Sequence, residues 1–319
     1  MFQKLRNRIR MSLFVFLSIF SLLTNGVAFY ILASYNHDHL LELAKAHSDQ
    51  QYQNMSKRLA VMGEGCRLFC EGSLFQLTLA AGEWSDIGER VSDFMRASNY
   101  AVGGRTYIFD EDGVLANVSS VTNLRFIDLS PNVVLELAGE QQGKAGGRFQ
   151  PVWFLRESPV SYSECLSYLF PLYLEDGELE GFFVMDVNWK HFAASLTDRD
   201  SDTFGAEALL LRTPEGRWSD PDIAEHTVQL FEELPSSQFV SKDGTLSITR
   251  QMPGGRDSLL QMIPLGLWQR ILSYGLRLFL VFLVSLPLFY FLSGFIADTV
   301  AVPLRNLYQK MDEGADRFA

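Results

Sequence analysis

The run from Leu278 to Ala297, LFLVFLVSLPLFYFLSGFIA, holds 20 residues without a charge, and no other feature limits the fold as much. As a helix rising about 1.5 Å per residue it reaches across a hydrocarbon core of roughly 30 Å. A buried core helix rarely stays uncharged for that many turns, so the segment 275–297 is read as a membrane span. Pro287 sits near its middle. A soluble helix would be broken there, but a span tolerates the proline because neighbouring helices and local backbone adjustment satisfy the freed carbonyl.

A second uncharged run, Met11 to Asn36, supplies a partner span. Lys4, Arg6, Arg8 and Arg10 precede it, with no acid among residues 1–10. A basic flank before an apolar run also suits a secretory signal, but this run exceeds a usual signal core and no small-x-small cleavage site closes it, so an uncleaved anchor is favoured. The basic flank holds the N-terminus in the cytoplasm, which puts residues 37–272 outside and returns residues 298–319 to the cytoplasm. With +4 on residues 1–10 and −1 from Asp298 onward, the net −11 of the chain leaves about −14 on the middle. An exterior that acidic is a poor nucleic-acid binder.

Beyond the first span, Leu41, Ala44, Ser48, Tyr52, Met55, Leu59, Met62, Cys66 and Phe69 recur three and four apart, which predicts one long helix from Tyr35 to about Gly72. Its stripe packs on the folded domain or on a second copy of the chain, so a homodimer is expected. A helical segment from Leu74 to about Asn99 follows, interrupted at Gly82. From Gly103 the period changes. Strands are predicted at 104–109 and 114–119 around the turn Asp110-Glu111-Asp112-Gly113, then a helix at 130–139 with Ser130 as its cap and Pro131 in its first turn. Further strands are predicted at 148–155, 165–174 and 179–187, the last two joined at Glu175-Asp176-Gly177-Glu178. These make a five-stranded antiparallel sheet, about 103–190, with helices to one side. A reduced version follows at about 204–266: a strand at 206–212, a helical segment at 222–234, and strands at 244–252 and 258–264 around Pro253-Gly254-Gly255-Arg256.

Cys66, Cys70 and Cys165 all fall in the exported part, where a disulfide is permitted. A bond from Cys165 to one of the other two and three small buried thiols are both open readings, the second favoured.

Span, long exported helix, larger sheet, smaller sheet and return span together resemble the double Cache architecture of bacterial transmembrane receptors, an α+β fold with two PAS-like antiparallel sheets between two transmembrane helices. Tyr107-Ile108-Phe109-Asp110-Glu111-Asp112-Gly113-Val114-Leu115 is similar to that family's first hairpin, and Phe170-Pro171-Leu172-Tyr173 with Gly181-Phe182-Phe183-Val184-Met185-Asp186-Val187 to its closing hairpin. Ala301-Val302-Pro303-Leu304-Arg305-Asn306-Leu307 resembles the start of a HAMP helix. The resemblance implies a sensor in the bacterial inner membrane, facing the periplasm or exterior. It would bind a small molecule and relay its state through Pro287, Pro303 and Leu304 to an output module or partner. Asp186 matches an aspartate that faces the ligand amine in many members. The arginine, tryptophan and tyrosine cluster of amino-acid-binding members is not matched, because Asn123 to Asp128 lacks the tryptophan.

The aromatic residues Tyr107, Trp153, Tyr168 and Tyr173 fall on predicted strands of the larger sheet. They are expected either to pack its core or to line a pocket, with Arg105 or Arg125 for a carboxylate and Asp186 for an amine. No nucleophile elbow, phosphate-binding glycine loop or metal-binding histidine pair occurs, so neither catalytic residues, a metal nor a cofactor is expected. The competing function class is a membrane-anchored module that binds another protein without signalling.

Overall fold

The computed structural model describes residues 2–98, 101–122, 129–142, 148–156, 164–174, 176–197, 204, 207–219, 238–240 and 244–315. They fall into two compact units, one of Met1–Glu42 with Gly266–Ala319 and one of Leu43–Leu265. The fold is α+β, with a long N-terminal helix and two antiparallel sheets.

In the first unit, helix α1 (Phe2–Cys70) begins and helix α6 (Leu267–Ala315) lies beside it. The Arg10 guanidinium stands 3.8 Å above the Tyr290 ring, Arg6 reaches Asp298 at 3.5 Å, and Phe14 meets Tyr290 edge-on. Gly294 makes room for Arg10, since a Cβ there would sit 3.2 Å from Nε. At the other end Phe29 lies over Gly275. The two helices are thus antiparallel, with the basic start of one beside the end of the other's apolar run. Both are long and apolar enough to cross a membrane. Their outward residues, among them Phe16, Leu23, Val284, Phe291 and Phe295, are exposed. Pro287 and Pro303 both lie inside the unbroken helix α6.

The first apolar run and the long helix expected from Tyr35 form one element, because α1 continues from Phe2 to Cys70. Neither glycine nor proline occurs between residues 27 and 62, and the Asn36 side chain bonds back to the Leu32 carbonyl at 2.7 Å instead of capping a new helix. Past Gly72, helices α2 (Ser73–Ala80) and α3 (Trp84–Ala97) flank Gly82, whose φ of 68° stops the first.

The larger sheet has the order β2-β1-β5-β4-β3, all neighbours antiparallel. Its strands are β1 (Ala101–Phe109), β2 (Leu115–Thr122), β3 (Val152–Arg156), β4 (Cys165–Tyr173) and β5 (Leu179–Asn188). β3 starts later than residue 148 because Pro151 has no N–H to give and the Phe149 N–H is taken by Tyr173 Oη at 2.9 Å. Helices cover both faces, not one. Met55 and Leu59 of α1 and Ile87, Val91 and Met95 of α3 pack on one face, while Val134, Leu137 and Ala138 of helix α4 (Pro131–Gln142) pack on the other. The reason is visible in the strands: β3, β4 and most of β5 are buried at consecutive positions, so both faces need cover. A short helix α5 (Trp189–Leu196), capped by Asn188, follows β5.

The smaller sheet has the order β6-β9-β8-β7, from β6 (Ala208–Arg212), β7 (Gln238–Val240), β8 (Thr245–Gln251) and β9 (Ser258–Pro264). A buried polar network fastens α1 to it. Ser48 Oγ donates to Gln261 Oε1 at 2.6 Å, Gln51 bonds Gln261 and donates to Glu207 at 2.6 Å, and His47 lies 2.8 Å from Glu207. The helical segment expected at 222–234 lies outside the described residues.

Candidate functional site

On a strand, side chains alternate between faces, so register decides which of them meet. In the larger sheet Gly103 and Ser167 flank Asp186, and Phe154 flanks Ser167. The α4-side set is therefore Arg105 and Tyr107 of β1, Phe182, Val184 and Asp186 of β5, Ser167 and Leu169 of β4, and Val152, Phe154 and Arg156 of β3. The lower part of this face is apolar. At its far end the charges converge.

Arg105 and Arg156 both donate to Asp186 Oδ2, Arg156 at 2.9 Å, and Ser167 Oγ donates to Oδ1 at 2.6 Å. Arg105 and Asp186 are each 0% exposed and Arg156 is 7% exposed. These ionised groups are buried together, where a charge is tolerated only when it is paired and hydrogen-bonded. Beside it, burial and then the Asp186 charge push the Cys165 thiol up to about 12, so it is an inert neighbour and not a nucleophile. All three cysteines are free and buried, which settles the two readings of them in favour of separate thiols. Cys70 is likewise pushed up by burial, with Cys66 one turn away.

The aromatic residues do not come together. Tyr107 belongs to the α4 face, where its hydroxyl donates to the Leu129 carbonyl at 3.0 Å. Trp153 and Tyr168, one residue out of phase with Phe154 and Ser167, point to the α1 face and meet at a tilt of 37° with centroids 4.6 Å apart. There they border a cleft of about 310 Å³ with Gly63, Arg67, Pro253 and Gly254. Gly63 permits the approach of α1, since a Cβ on it would lie 3.0 Å from Tyr168 Oη. Burial raises the Tyr168 hydroxyl, which keeps it a neutral donor. A second cleft on the same side, about 380 Å³, is lined by Lys57, Arg58, Val61, Met62, Phe94 and Met185, none of them expected from sequence as a ligand-binding residue.

Of the residues singled out, the structure joins Arg105 with Asp186 and Trp153 with Tyr168, on opposite faces. Arg125 lies outside the described residues. Pro287, Pro303 and Leu304 are on α6. Asp186 is an interior residue of β5. Sequence reasoning missed Arg156 and Ser167. Their signal was parity: Val152, Phe154 and Arg156 alternate on one face, as do Phe182, Val184 and Asp186.

No protein-family model matches the chain, and no curated protein matches it. Solved structures with a similar fold do. A domain assigned to a sensory box/GGDEF family protein of Vibrio parahaemolyticus matches with a TM-score of 0.49 at 14% identity, covering 72% of this chain and 97% of that one. The ligand-binding domain of the Pseudomonas aeruginosa PAO1 amino acid chemoreceptor PctC, with GABA, matches at 0.44 and 13%, covering 71% and 99%. The periplasmic domain of RsbU from Chlamydia trachomatis matches at 0.40 and 12%, covering 74% and 95%.

Proposed function

We propose that this chain is the sensing part of a transmembrane receptor and not an enzyme. In this reading residues 11–36 and 275–297 span a bacterial inner membrane, residues 37–272 sense a small molecule outside, and α6 carries the state past Pro303-Leu304 into a HAMP-like segment and an output module or partner. One observation carries the reading. The folded unit Leu43–Leu265 is bracketed by two membrane-length helices that continue from it with almost no linker: α1 passes unbroken from its apolar run into the core at Met55 and Leu59, and β9 is followed by α6 after Leu265 and Gly266 alone. A ligand acts at a distance only through elements whose states it biases, and α1 and α6 are the elements that join this unit to the apolar runs.

The candidate ligand site is the Arg105–Asp186–Arg156 cluster, whose guanidiniums suit a carboxylate-bearing molecule, and the chain is expected to work as a homodimer. The test is thermal unfolding of the full chain in nanodiscs with amino acids, carboxylates and amines. At about 100 times its dissociation constant a ligand adds about 2.7 kcal/mol, or a rise of roughly 5–10 °C for a domain of this size. A saturable rise with a carboxylate, lost in Arg156→Gln, supports the reading. A panel in which no compound raises the melting temperature refutes it.

A further inference from the structure

β3 is the outer strand of the larger sheet, and an outer strand presents unpaired N–H and C=O groups that must be covered. Here the cover comes from the smaller sheet. The tight turn between β8 and β9, residues 252–257, reaches the outer side of β3: Trp153 N–H donates to the Gly254 carbonyl at 3.0 Å, and Arg256 N–H donates to the Trp153 carbonyl at 3.1 Å. The next N–H on this outer edge of β3, that of Leu155, is taken by the Asp257 side chain through Oδ2. Asp257 is 0% exposed and lies between residues of both sheets. Gly254, with φ of 63°, lets the turn come this close.

The residue after Leu155 is Arg156, which donates to Asp186 in the ion cluster, and the residue after Asp257 opens β9. We propose that Asp257 is a positioning residue: by holding Leu155 it fixes the end of β3, keeps Arg156 on Asp186, and ties the cluster to the strand that leads into α6. The inference rests on the sensing reading only in calling that cluster a ligand site.

Asp257 is also poised to make the hold depend on pH. Burial is the largest influence on its carboxyl, raising it to about 6, against the Leu155 N–H and Arg256, which favour the charged form. Glu215 and Arg217 act on it from the turn after β6, and Arg256 itself is shared with Glu215 and with Glu140 of α4 at 3.0 Å. A neutral carboxyl still accepts from Leu155 through its carbonyl oxygen and no longer carries a buried charge, so acidification tightens the latch.

Cys165 gives the readout, because its Cα pairs with that of Arg156 across β3 and β4 and its thiol is buried in the cluster. Cys66 and Cys70 on α1 serve as internal controls. The full chain in nanodiscs is labelled with N-ethylmaleimide and each cysteine followed by peptide mass spectrometry. Asp257→Ala, which strips the buried Leu155 N–H of its acceptor, is expected to speed Cys165 labelling about tenfold, equal to about 1.4 kcal/mol. Cys66 and Cys70 should change by less than about twofold, as local opening requires. Asp257→Asn keeps the acceptor and should restore the slow rate. In the wild type the Cys165 rate relative to Cys66 should fall between about pH 7.5 and pH 5.5, and in Asp257→Asn it should stay level. A common rise at all three cysteines, an unchanged Cys165 rate in Asp257→Ala, or the same pH response in Asp257→Asn overturns the proposal. Labelling needs no ligand, so this result and the thermal-shift result can fail separately.

Discussion

Removing the Asp186 carboxylate is the most informative single change. Asp186→Ala deletes the acceptor of two guanidiniums and one hydroxyl at a point of the sheet where Arg105 and Asp186 are fully buried. The variant therefore keeps two buried guanidiniums that have lost this acceptor. Breaking a buried pair from one side costs about 3–5 kcal/mol. For a unit of the size of Leu43–Leu265, at 2–4 °C per kcal/mol, this is a fall in melting temperature of roughly 6–20 °C. The paired variant Arg105→Met/Asp186→Leu leaves one buried guanidinium without this acceptor where the single variant leaves two, and should recover part of the loss, since apolar replacement of a buried pair is often neutral. Thermal unfolding of the full chain followed by tryptophan fluorescence reads both, as Trp153 and Trp189 are buried in the same core. If Asp186→Ala unfolds within about 2 °C of the wild type, a loss of no more than about 1 kcal/mol, the cluster is not the desolvated ion group described here. If the paired variant is no better than the single one, the charge argument is wrong even though the residue matters.

Gly181 lies against β1 where an added Cβ would come 2.0 Å from the Tyr107 carbonyl oxygen. No flexible atom can yield there, so Gly181→Ala should cost at least about 3 kcal/mol, or stop the domain folding, as judged by denaturant midpoint. Asp257 sets a pH dependence of stability. Its carboxyl is raised from the ordinary carboxylate value to about 6, so its contribution is full below about pH 4 and lost as pH rises through about 6. Asp257→Asn should be stabilised relative to wild type by up to about 3 kcal/mol at pH 7.5 and by little at pH 4, and equal midpoints at both values would contradict this. A reporter enzyme active only outside the cytoplasm should work when fused near Asp200 and fail at Ala319. Activity at Ala319 would sink the two-span topology.

Where an element depends on its own few residues, the sequence was enough. Gly82 and Gly113 both adopt positive φ, and they end a helix and close a hairpin where their positions indicated. Ser130 meets Val133 N–H at the start of α4, and Pro131 opens the helix. The strands at 165–173, 179–188 and 258–264 follow from apolar runs between turn residues, and the uncharged stretches from residues 11 and 278 fix two membrane-length helices. All of these are decided by backbone freedom, hydrogen bonding and hydrophobicity over a handful of neighbours.

Pairings across long separations were decided only by the tertiary structure. A shift of one residue in register moves a side chain to the opposite face, so whether Trp153 and Tyr168 would join Tyr107 depended on how β3 and β4 aligned with β5. They aligned so as to send the two aromatics to α1 and to bring Arg156 and Ser167 to Asp186. The smaller sheet's turn closing over β3, about a hundred residues away along the chain, has no local signal at all. Its glycines announce a turn but not what the turn touches. The same holds for cover on both sides of the larger sheet. Strand composition shows that a face is apolar, while the space left after α1 and α3 have packed determines that α4 is what fills the other.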